Sequence, residues 1–154
     1  MTDKAALLNQ VRYAERLSER TARLYRNLQV AGTIATVLSG SAILSVLASS
    51  MPSWLYVVGS ALFVIFGACM LAIGPANKAA ANEADRKRYA RLRVEGLAMS
   101  AEELEVAFAK AMESNTQEVE ALRDVAQNDV LIEAGWPESV VPLSKGQRLL
   151  AMLA

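Results

Sequence analysis

Five arginines, Arg12, Arg16, Arg20, Arg23 and Arg26, follow one another at spacings of four, four, three and three, and a second basic run, "RKRYARLR", occupies Arg86 to Arg93. Guanidinium groups are planar forks that grip phosphates, and tyrosines among them can stack on bases. On a helix the five arginines share an arc of about 120°. Candidate contacts for an anionic nucleotide or oligonucleotide are therefore Arg12, Arg16, Arg20, Arg23 and Arg26, joined by Arg86, Lys87, Arg88 and Tyr89 of the second run. Tyr13 and Tyr25 are further stacking candidates. Two plainer readings stand beside this one. Glu15 and Glu19 can pair along the helix and make the stripe a solvated, self-neutralising face. Basic clusters beside a membrane also hold lipid headgroups, each residue contributing about 1 kcal/mol.

Other chemistries find little material. The 154-residue chain has no histidine and one cysteine, Cys69, so neither a disulfide framework nor a Cys/His zinc site can form within it. With no glycine-rich phosphate loop, no metal constellation and no histidine base, neither an enzyme nor a cofactor is expected. Cys69 lies in an uncharged setting and reads as a buried structural thiol.

The elements that position the basic residues flank an uncharged stretch, Asn27 to Asn77. A bilayer core of roughly 30 Å takes about 20 apolar residues at 1.5 Å each. Residues 28–49 and 54–73 both meet that length, giving a transmembrane hairpin within 28–75. Pro52 sits in the turn, Trp54 and Tyr56 at an interface, and Gly74-Pro75 stops the second span. A soluble bundle with two buried helices would show polar residues at nearly every turn. A cleaved signal peptide would have a shorter apolar run. Basic residues on both flanks and none in the turn place both termini in the cytoplasm, so residues 1–27 form a basic leader helix and 76–154 a cytoplasmic helical domain. The fold class is all-α.

On the first span Gln29, Thr33, Thr36 and Gly40 share a face, extended outward by Ile43, Leu44 and Leu47. Gly32, Thr36 and Gly40 form a small-residue ladder, so helix packing is the favoured reading. The sharper one makes Gln29, Thr33, Thr36, Gly40, Ile43 and Leu47 a pore lining that is wet near the cytoplasm and gates by dewetting farther out. Neither span carries an Asp, Glu, Lys, Arg or His, which argues against a proton-coupled transporter. Two helices cannot enclose a pore, so conduction requires a homo-oligomer.

Net charge is zero, yet residues 1–95 hold 12 Lys/Arg against 6 Asp/Glu and the remainder 4 against 10. Ser100 with Glu103 predicts one capped helix, and Ser114 or Thr116 starts another that ends at Gly135. Their narrow apolar stripes should pack on the basic helix or on neighbouring subunits, acidic half against basic half. Ser144 with Gln147 caps a short apolar tail after Trp136-Pro137, expected to dock in the core.

A basic leader, two spans with a minimal turn, "RKRYARLR" and an acidic tail with "LRDVAQND" together resemble the SLATT family, two-span effectors associated with nucleotide-synthesising and nucleotide-sensing partners in bacterial conflict systems. The resemblance implies a homo-oligomeric, pore-forming effector of the bacterial inner membrane in antiphage defence. It implies gating from the cytoplasm by a nucleotide signal and a nucleotidyltransferase partner in the same system. A non-conducting adaptor that recruits a protein partner and a holin-like phage protein are the alternatives.

Overall fold

The computed structural model describes residues 3–39 and 52–154, with the side chains of Ser39, Tyr56 and Leu71 excluded. The described residues are helical with no strand. Helix α1, Lys4–Ser39, runs unbroken from the arginine stripe into the apolar stretch. Helix α2, Ser53–Ile73, is apolar throughout and ends on Gly74, whose left-handed backbone (φ 59°, ψ 51°) caps the helix by donating to the Met70 carbonyl. Helix α3, Pro75–Glu95, begins at the next residue, its proline at the first turn where the missing N–H costs nothing. The expected stop at Gly74-Pro75 is where the apolar helix ends and the basic one begins.

α1 runs antiparallel to α2 and α3. Lys4 Nζ donates to the Leu97 carbonyl, Arg93 Nε donates to Glu15 at 2.8 Å, and Arg26 stands 3.7 Å from Glu83. Farther along, Gly32 lies so close to Met70 that an added Cβ would sit 2.9 Å from its Cγ. Near the start of α1, Leu7, Val11 and Ala14 bury with Tyr89, Leu92, Leu104 and Ala111. Burial of a leucine or valine of this kind stabilises by about 1.5–3 kcal/mol. Gly96 closes this end, for a Cβ there would meet the Leu92 carbonyl at 2.8 Å and Leu104 at 2.9 Å.

Helix α4, Ala101–Glu113, starts on the expected capping box: Glu103 N–H donates to Ser100 Oγ and Ser100 N–H to the Glu103 carboxylate. The next helix starts later than the sequence suggests. Thr116 begins no helix; its N–H donates to Asp85 Oδ2 at 2.8 Å, which ties the extended segment to α3. A 3₁₀ turn at Glu120–Leu122 leads instead into α5, Arg123–Glu133, which ends before Gly135 in a left-handed conformation (φ 81°). Leu122, Val125 and Ala126 bury against Leu17 and Leu24 of α1, which places the acidic helix on the basic one. A 3₁₀ turn at Pro137–Ser139 precedes α6, Lys145–Leu153, which has its own capping box between Ser144 and Gln147. The buried Asn128 side chain exchanges two hydrogen bonds with the Val141 backbone and pins the connecting segment.

Cys69 is exposed within the chain, correcting its reading as a buried thiol. α2 packs one face on α1 and leaves the rest of its circumference uncovered, with Val57, Leu62, Val64 and Ile65 all exposed. One apolar segment among the described residues, beginning at Ser53, is long and apolar enough to cross a membrane.

Candidate functional site

The arginine stripe faces α5. Arg20 meets Asp129 side-on, Nε to Oδ2 at 2.8 Å and Nη2 to Oδ1 at 3.0 Å, a bidentate fork. One turn later on α5, Glu133 takes Arg16, one turn before Arg20 on α1, through one oxygen and Arg12, two turns before it, through the other, with two N–H groups at 3.0 and 2.6 Å. Antiparallel helices put i,i+4 arginines opposite i,i+4 acids, so Arg16 and Arg20 find Glu133 and Asp129 in register. Glu19 holds the outer side, accepting from Arg16 at 2.6 Å and Arg23 at 3.0 Å. Burial works against the Arg16 charge, but the hydrogen bonds and fields of Glu19 and Glu133 outweigh it and raise its pKa above the ordinary arginine value.

Between the two helices these side chains line an open cleft of ≈ 330 Å³, formed by Arg16, Glu19, Arg20, Arg23, Asp129, Ile132 and Glu133. The guanidinium groups are thus gathered where a phosphate could sit, each already engaged by a carboxylate. An incoming anion must compete with Asp129 and Glu133 for the same forks. The carboxylate partners lie 109 to 121 residues from the arginines that they hold. Their signal in the sequence was the matching four-residue spacing, Asp129 to Glu133, on the acidic half.

The second basic run behaves differently. Arg86 Nη2 donates to Glu83 at 2.7 Å, and Arg26 approaches the same carboxylate, so one acid joins the two basic segments. The Arg86 hydrogen bond, with the charges of Arg86, Lys87 and Arg26, holds the Glu83 pKa below the usual carboxylate range against the opposing effect of burial. Arg88 is drawn away from the stripe: it pairs with the buried Asp85 and donates to the Ala111 carbonyl at 2.8 Å and to Ser114. Lys87 is exposed.

Tyr89 cannot serve as a stacking platform in this structure. It is 0% exposed, its ring edge-on to Phe108 with centroids 6.1 Å apart. Burial, reinforced by Glu118 and Asp85, pushes its phenol up to about 12. A tyrosine amid basic residues looked solvated, but its position on α3 turns inward to the Leu7–Leu104 core. Tyr25 is half-buried with the Lys78 ammonium 5.5 Å from its ring centroid, and Tyr13 is half-buried with its pKa raised by burial.

Of the candidate pore-lining residues, Gln29, Thr33 and Thr36 line a cleft of ≈ 220 Å³ with Gly32, Val37, Gly67 and Met70, between α1 and α2 of the same chain. Thr33 and Thr36 each donate to the carbonyl four residues earlier, which satisfies the hydroxyl inside the helix. Gly40, Ile43 and Leu47 lie outside the described residues, as does the turn before Pro52. Among the described residues no three Asp, Glu or Cys side chains converge where a metal ion could sit.

Set against family models, curated proteins and solved structures, the chain matches none of them.

Proposed function

We propose that this chain is a membrane-embedded, homo-oligomeric channel subunit, gated from the cytoplasm by an anionic nucleotide or oligonucleotide, as its resemblance to the SLATT effectors implies. The observation that carries the reading is α2 itself: 21 residues without a charge, whose large apolar side chains Trp54, Val57, Leu62, Val64 and Ile65 are all exposed. A core helix of a soluble protein hides such a surface in its own fold; this one leaves it for another apolar medium. The antiparallel approach of Gly32 to Met70 supports a hairpin of two spans, 28–49 and 54–73, with a small-residue contact between them. Both termini then lie on the cytoplasmic side of a bacterial inner membrane, where the basic segments flank the spans.

Gating enters through the α1–α5 cleft. Asp129 and Glu133 occupy the forks in the absence of ligand, and a phosphate-bearing ligand competes for Arg12, Arg16 and Arg20 and loosens α5 from α1. Because α1 continues unbroken from those arginines into the span, release of α5 is felt at the membrane.

Purified chain in liposomes tests the reading. A channel gives discrete ion flux that responds to added nucleotide, and charge reversal of Arg16 and Arg20 abolishes the response. No flux, with the chain inserted, supports an adaptor; release of large dyes supports a holin-like lesion. Ligand response intact after reversal of both arginines overturns the assignment of the cleft.

A further inference from the structure

We infer that the outward face of α6 rests on the lipid surface at the point where α1 enters the bilayer, an inference that depends on the transmembrane reading of 28–73. α6 has two apolar faces. Leu150, Ala151 and Ala154 pack into the cluster around Leu17, Leu24 and Leu122. That satisfies the docking expected of the tail and leaves a second set uncovered: Leu149 is 60% exposed, Met152 82% and Leu153 42%. At 100° per residue these three fall within an arc of about 100°.

Position decides what covers them. Asn27 Nδ2 donates to the Leu153 carbonyl at 2.8 Å, and Leu28 packs against the same cluster as Leu150 and Ala151. The last turn of α6 is therefore fixed beside the residue where the uncharged stretch begins. On α1 the exposed apolar surface resumes at once, with Val30, Ile34 and Val37. The α6 face thus continues the surface that the bilayer would cover. Lys145 lies within the apolar arc and Arg148 about 40° outside it, with its Nε donated to the Leu143 carbonyl, so a cation stands beside the apolar face where anionic headgroups would lie. A free helix of this length would bind lipid weakly, but α6 is already tethered to α1, so little further freedom is lost on contact.

Spin-label accessibility on the Cys69→Ser chain, reconstituted in phosphatidylethanolamine/phosphatidylglycerol vesicles, tests this. Labels are attached through Met152→Cys, Val106→Cys and Ile65→Cys in separate preparations, and helix content is checked for each. The expected result is an oxygen-to-nickel-chelate collision ratio at 152 several-fold above that at 106, whose valine is 70% exposed on α4, and nearer to that at 65. A ratio at 152 equal to that at 106, with 65 in lipid, overturns the α6 contact and leaves the hairpin standing. An aqueous ratio at 65 overturns the hairpin and the α6 contact together. Shielding of 152 from both collision partners means that protein, such as a second copy, covers the face, and also overturns the lipid assignment.

Discussion

Arg20 and Asp129 form a bidentate ion pair across 109 residues of sequence, with both nitrogen-to-oxygen distances at or below 3.0 Å. Each side chain is roughly three-quarters buried, so solvent screens the pair only in part. A double-mutant cycle with Arg20→Ala and Asp129→Ala should give a coupling of about 1 kcal/mol, near the upper end for partly exposed pairs. Asp129→Asn combined with Glu133→Gln should raise the affinity for inorganic triphosphate severalfold by calorimetry, with the gain shrinking as salt is added. Unchanged affinity would show that the acids do not compete for the anion.

Asp85 sits in a more demanding place. It is 1% exposed, accepts the Thr116 N–H and pairs with Arg88, which joins α3 to the segment ahead of α5. Asp85→Asn keeps the shape but removes the charge, and Arg88, still partly exposed, can turn to water. The expected loss is about 2–3 kcal/mol in denaturant unfolding, between a lost charged hydrogen bond and a broken buried pair. Arg88→Met should cost less than Arg88→Ala, because its stem also covers apolar surface.

Tyr89 links stability to alkaline pH. Its folded pKa is raised from the ordinary 10.0 to about 12, so its contribution is complete below about pH 10 and is lost as pH rises from there through 12. Two pH units correspond to roughly 3 kcal/mol at the limit. Absorbance at the tyrosinate band should show one tyrosine titrating together with loss of helix. The Tyr89 hydroxyl is buried with no hydrogen-bond partner, so Tyr89→Phe should stabilise the fold by about 1 kcal/mol and remove that alkaline loss.

Gly32 faces Met70 at a distance that leaves no room for a branched side chain. Gly32→Val should lower thermal stability in detergent by about 1–3 kcal/mol through overpacking. Adding Met70→Ala should recover part of that loss, because the atoms in conflict are gone. Strict additivity of the two would mean that the helices do not meet there.

Much of this arrangement was legible locally. The capping boxes at Ser100 and Ser144, the stops at Gly74 and Gly135 and the helical run of the arginines are all signals within one turn or two of chain. What escaped depends on partners distant in sequence. Thr116 looked like a helix start but lies in an extended segment held to α3 by Asp85; Tyr89 looked exposed until Phe108 and Leu104 closed over it. Charge complementarity between the two halves was readable, but its register, Arg16 with Glu133 and Arg20 with Asp129, required knowing that α5 runs antiparallel to α1.

Gly74 gives the molecule its mechanical character. Only this residue separates the apolar helix from the basic one: its N–H donates back to Met70, its carbonyl accepts from Asn77 and Lys78, and both ladders therefore end on the same residue. Pro75, with no N–H to return to the apolar helix, keeps them from merging. The joint is a one-residue knee whose angle is set by a single left-handed glycine, so Gly74→Ala, which disfavours that conformation, should change the angle between the two rods while leaving each intact.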